Sequence, residues 1–121
     1  MTWYLTLRGA DDYSRMADTG AVLSWLLACP QLQQSGPQSF MAAEGLPWLE
    51  VVLAQADAQG NYHTGAALPD RINVIEFICS SHAPAVDAEA LACQLARHLG
   101  WGVHEDSEGR RLCAPGDGVE V

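Results

Sequence analysis

Two glutamates stand where a pair of carboxylates could act together. Glu50 and Glu76 each sit at an even position in a short apolar run rich in β-branched residues. A hairpin of those two runs, with even residues facing even residues, puts both on one face of a sheet, because side chains alternate with a period of two. Paired carboxylates can divide general acid and general base roles. No nucleophile accompanies them, and an open, flat sheet face makes a poor active site. The pair therefore reads as charge on a binding surface. Its even-numbered company is Trp48, Val52, Val74 and Ile78. Apolar residues on a solvent face, spotted with charge, have the composition of a partner site.

A second group falls between the runs. Asp57, Tyr62, His63 and Asp70 lie in or beside a loop at residues 58–70, which also holds Gly60, Asn61, Gly65 and Pro69. An aromatic residue flanked by acids on a loop suits contact with a basic protein. The four histidines, 63, 82, 98 and 104, are scattered and read as surface or capping residues. Cys93 and His98 are five apart on one helix rather than four, so they form no helical metal pair. No serine is positioned to complete a Ser/His/Asp set, and the glycines 9, 20, 45 and 60 stand singly rather than in a phosphate-cradling loop. No catalytic residue, metal or cofactor is expected. Cys29, Cys79, Cys93 and Cys113 show no Cys-x-x-Cys pair, and the expectation is four reduced thiols in a cytoplasmic protein.

The elements that must carry these residues can be read in order. Residues 2–8 alternate as a half-buried strand, with Trp3, Leu5 and Leu7 on one side. Asp18 or Thr19 can cap a helix running to Cys29, stopped by Pro30. Residues 31–38 read as a polar connection, 39–44 as a short strand and 48–57 as a strong one. Residues 71–80 form the central strand, apolar on both alternations, with the Phe77 side toward the core and the Glu76 side wetter. A second helix at 85–99 carries the stripe Ala88, Leu91, Ala92, Leu95 and Leu99 and ends at Gly100. A last short strand spans 101–106. The order β-α-β-β-β-α-β predicts a single α+β domain over 1–121. It is a two-layer sandwich with a mostly antiparallel sheet, both helices on one face, and a partly ordered tail from about 107.

Charge narrows the partners. Fifteen acidic residues face six basic ones, all arginine, for a net charge of −9. Phosphate contacts need a basic surface, so nucleic acid and anionic membrane are not expected partners. The first residues do not resemble a signal peptide, and no apolar run approaches membrane-spanning length.

The segments Trp3-Tyr4-Leu5-Thr6-Leu7, Tyr13-Ser14, Val51-Val52-Leu53-Ala54-Gln55, Asn61-Tyr62, Arg71-Ile72-Asn73-Val74-Ile75-Glu76 and Leu99-Gly100-Trp101 together resemble small bacterial immunity-type proteins, which accompany polymorphic or secreted antibacterial toxins. The resemblance implies a cytosolic protein that neutralises a toxin domain by occlusion, without a cofactor, acting as a monomer or weak homodimer. Trp48, Glu50, Asp57, Tyr62, His63, Asp70 and Glu76 are the residues expected to meet the toxin, which the acidic charge predicts to be basic. The alternative is a small-molecule-binding or regulatory α+β domain that pairs through its sheet as a homodimer.

Overall fold

A computed structural model describes residues 2–10, 13–46, 48–59, 61–62, 69–80, 85–105 and 109–113. These residues form β1 (Thr2–Arg8), β2 (Ala17–Asp18), α1 (Thr19–Leu27), β3 (Leu32–Gly36), β4 (Ser39–Ala42), β5 (Leu49–Ala54), β6 (Arg71–Ile72), β7 (Val74–Ser80), α2 (Ala85–Leu99), β8 (Gly102–Glu105) and β9 (Arg110–Cys113). Seven strands make one sheet in the order β3-β4-β5-β7-β1-β8-β9, every neighbouring pair antiparallel. The expected α+β class holds. Stripped of the β3–β4 hairpin, the order β8-β1-β7-β5 with helices after β1 and β7 is the split β-α-β arrangement of a ferredoxin-like sandwich.

The register explains how the sheet chooses its faces. Phe77 sits opposite Val51 on one side and Leu5 on the other, and Ile75 sits opposite Leu53 and Leu7. All six are fully buried, and they share one core with Val22 and Leu26 of α1 and with Leu91 and Leu95 of α2. Both helices therefore cover the odd-numbered face, as the alternation around Phe77 predicts.

Helix ends follow the local chemistry. Asp18 caps α1, its Oδ2 accepting from the Ala21 amide at 2.9 Å. The helix stops at Leu27, two residues before the expected end. At the end of α2 the Gly100 amide donates to the Arg97 carbonyl and the Trp101 amide to the Ala96 carbonyl, a Schellman closure that needs the left-handed φ of +73° at Gly100. Trp101 is thereby turned into the core. Its ring also explains Gly9, where an added Cβ would come within 2.9 Å of the indole.

Several expectations are corrected. The polar segment 31–38 is not simply a connection: Leu32–Gly36 pairs with β4, its backbone bonds outweighing an uninviting side-chain pattern. The central run is not one strand. Ile72 pairs with Ala17 of β2, while β7 starts at Val74, so the run breaks at Asn73. The four cysteines are not all reduced, because Cys93 is disulfide-bonded while Cys29 and Cys79 are free thiols. The segment expected as a partly ordered tail needs no such correction: within it Arg110–Cys113 pairs with β8 as an edge strand, β9. Among the described residues, no helix is long and apolar enough to cross a membrane.

Candidate functional site

The even-numbered face of the sheet is the one the helices leave open. Strand register lays a row of residues straight across it: Val52 opposite Glu76, Glu76 opposite Thr6, Thr6 opposite His104, and His104 opposite Arg111. Four polar side chains from β7, β1, β8 and β9 thus stand side by side. The Thr6 hydroxyl donates to Oε1 of Glu76, fixing the carboxylate on the row. An Arg111 NH2 group lies 3.3 Å from Nε2 of His104. A guanidinium has no acceptor, so a hydrogen bond between them requires Nε2 to accept.

Beside this row the face departs from the open, flat surface that the sequence suggests. A pocket of about 310 Å³ opens there, lined by Thr6, Arg8, Tyr13, Tyr62, Val74, Glu76, His104, Glu105 and Gly109. Tyr13 and Tyr62 pack against Ala54, Ala56 and Val74, walling in one end of the open face. Arg8 donates to the Tyr13 hydroxyl at 2.9 Å, and its guanidinium lies 5.1 Å from the centre of the same ring. Tyr13 holds this position with a φ of +61°, the one left-handed non-glycine residue among those described.

Asn73 sets both walls, and it does so because it breaks the strand. It is 1 % exposed. Its Oδ1 accepts from the Ala56 amide at 2.7 Å, and its Nδ2 donates to the carbonyls of Ala56 and Tyr13 at 2.8 and 3.0 Å. One side chain thus ties the Tyr13 segment and the chain leading toward Tyr62 to the end of β7. Thr19 adds a second tie, its hydroxyl donating to the Pro69 carbonyl at 2.7 Å and its amide to that of Asp70 at 2.9 Å.

A second row crosses the same face toward the other end of the strands. Met41 faces Glu50, Glu50 faces Ile78, and Ile78 faces Tyr4. Tyr4 is exposed, Met41, Glu50 and Ile78 are half-buried, and Trp48 at the foot of β5 is exposed. Of the apolar company expected on this solvent face, Ile78 and Trp48 reach the surface, whereas Val52 and Val74 are buried, Val74 against Tyr13 and Tyr62.

The expected contact residues are therefore divided. Glu76 and Tyr62 meet in the pocket. Glu50 lies on the second row and Trp48 beside it in the chain. Asp57 is exposed and committed to its own turn, its Oδ1 accepting from the Gln59 and Asn61 amides at 2.9 and 3.0 Å. Asp70 is exposed, its carbonyl holding the start of α1. His63 lies outside the described residues. Thr6, Arg8, Tyr13, His104 and Glu105 were missed as a site. The parity of Thr6 and Arg8 was readable in β1, but their neighbours on β8 follow only from which strand pairs with β1.

Among the described residues no group of three metal-binding side chains converges. Burial, and then the charge of Glu89, push the Cys79 thiol up to about 12, which makes it inert packing rather than a nucleophile. Comparison with protein-family models, with curated proteins and with solved structures finds no match.

Proposed function

We propose that this protein is a non-enzymatic inhibitor of the immunity type, which binds a basic toxin domain through the open face of its sheet. The observation that carries the reading is the strip Met41–Glu50–Ile78–Tyr4 on the face opposite both helices, with Trp48 exposed at the foot of the same strand. Apolar and aromatic surface interrupted by a carboxylate supplies both a desolvated centre and a charge to orient the partner. The net charge of −9 favours a cationic partner.

The absence of a Cys-x-x-Cys pair favours a reduced protein of the cytoplasm. The Cys93 disulfide argues for an oxidising compartment instead. The thiol state of the protein purified from its own cells decides between them.

The test is whether a gene beside this one encodes a toxin domain and whether the protein binds it. The association rate should fall steeply with salt, since exposed charges are screened beyond about 8 Å at physiological ionic strength. Glu50→Lys should slow association, and Trp48→Ala or Tyr4→Ala should speed dissociation, with melting temperatures near that of the parent. Normal binding by all three folded variants would remove the strip as the interface. The small-molecule reading has one observation in its favour, the 310 Å³ pocket, which sits at the small end of the ligand-site range.

A further inference from the structure

We infer that this protein pairs with a second copy of itself through the free edge of β3 and the outer side of α1, giving a two-fold dimer with one continuous sheet.

Three observations meet at this end of the molecule. The first is charge. Between Asp18 and Glu44 the chain carries no acidic, basic or histidine residue, although its net charge is −9. Two copies repel each other over most of their surface, and the repulsion is weakest where neither brings charge. The second is the edge. β3 ends the seven-stranded sheet, so one side of its backbone faces away from β4, and Gln33, Gln34 and Ser35 are exposed. Edge strands are commonly guarded against pairing by charged side chains. β9, at the opposite edge, begins with Arg110 and Arg111, whereas β3 has no charged residue. A register shift between Gln34 and Gly36 confines its regular stretch to Leu32–Gln34. The third is α1. Its inner side buries Thr19, Val22 and Leu26, yet its outer side is uncharged too: Ala21, Ser24 and Ala28 are exposed, and Leu27 is 60 % exposed. A helix with no charged face is one that expects cover on both sides.

The fold brings the three together. α1 packs beside β3, while α2 lies over β7, β1, β8 and β9. Antiparallel pairing of β3 with its own copy sets the two-fold axis perpendicular to the sheet, so the helices of both copies stay on one side. α1 then meets α1 of the second copy above the new strand pair. A stable interface takes about 600 Å² or more from each partner, which Leu32–Gln34 alone does not supply and the helix contact completes. Self-pairing at β9 would instead set arginines against arginines. The open, even-numbered face lies opposite α1 and stays uncovered, so this pairing stands apart from the partner contact proposed for that face.

The test is sedimentation velocity on the whole protein at concentrations up to about 1 mM, where even a weak pair is half formed. A monomer–dimer equilibrium is expected. Added salt should strengthen it by screening like charges, the reverse of its effect on a cationic partner. Leu27→Glu and, separately, Gln34→Glu should each weaken the dimer at least about tenfold, because a like-charge pair then faces itself across the axis. Both positions are exposed in a single copy, so the melting temperature of dilute protein should stay near that of the parent. Amides of Leu32–Gly36 should exchange more slowly as the dimer forms, and Trp48→Ala, on the open face, should leave the dimer intact. A monomer throughout, growth beyond two copies, a dimer that survives both glutamate variants, or one dissolved by Trp48→Ala would overturn the inference. If Leu27→Glu does not fold, Gln34→Glu carries the comparison alone, and an undiminished dimer there overturns it equally.

Discussion

Asn73 carries more of the site than any residue whose charge draws notice. It satisfies both backbone groups of Ala56 and the Tyr13 carbonyl from one buried amide. Removing it strands at least one buried backbone group, which costs about 1–3 kcal/mol. Asn73→Ala should lose stability in that range in urea denaturation, and should also broaden the amide signals of the Tyr13 segment. Asn73→Asp tests the geometry, since it keeps the acceptor and loses both donations. A quite different prediction concerns the thiols. Cys79 is lifted from 9.0 to about 12 by burial and then by Glu89, and burial also raises Cys29. A raised folded value means that the folded state holds its proton more tightly. The resulting stability is complete below about 9 and is lost as pH climbs toward 12. Iodoacetamide applied to the native protein at mildly alkaline pH should therefore label Cys29 before Cys79. Equal rates would contradict the burial of Cys79.

At the scale of elements, β7 is the axis of the molecule. Its odd side packs the core and its even side supplies Glu76 and Ile78 to the open face. Phe77→Ala should cost about 3–5 kcal/mol, the range for truncating a buried phenylalanine. A loss under about 1 kcal/mol, usual for surface positions, would reverse the two faces. Gly100 tests the connection from α2 to β8. An alanine there must adopt a left-handed conformation at a cost of about 1–2 kcal/mol. Gly100→Ala should show that loss in thermal or chemical melts, and because Trp101 follows immediately, also a change in tryptophan fluorescence.

For the whole molecule, one covalent link bears on stability and compartment alike. Cys93 lies on α2, which packs on the sheet beside β8. Alkylation of the unfolded, unreduced protein should mark Cys29 and Cys79 and spare Cys93. Reduction should then lower stability by about 2–4 kcal/mol, the typical effect of losing a native disulfide. Labelling of Cys93 without reductant would return the chain to the reduced state that its cysteine spacing suggests.

Local patterns in the sequence determine a good deal here. A side-chain period of two in β1, β5 and β7 assigns Phe77 and Leu5 inward and Glu76 and Glu50 outward, because the single carboxylate in β5 and in β7 marks the wetter of two largely apolar sides. The stripe on α2, the Asp18 cap and the Gly100 stop are likewise local chemistry. Strand adjacency is different, since it is set by crossovers and by which helix buries which stripe. Only the placement of β8 beside β1 brings His104 next to Thr6 and Glu76. The walls of the pocket arise in the same way. Asn73 looks like one more residue of a β run until Ala17 captures Ile72 and the amide turns inward to bond Ala56 and Tyr13. Those contacts span 17 and 60 residues of chain, and no local periodicity encodes them.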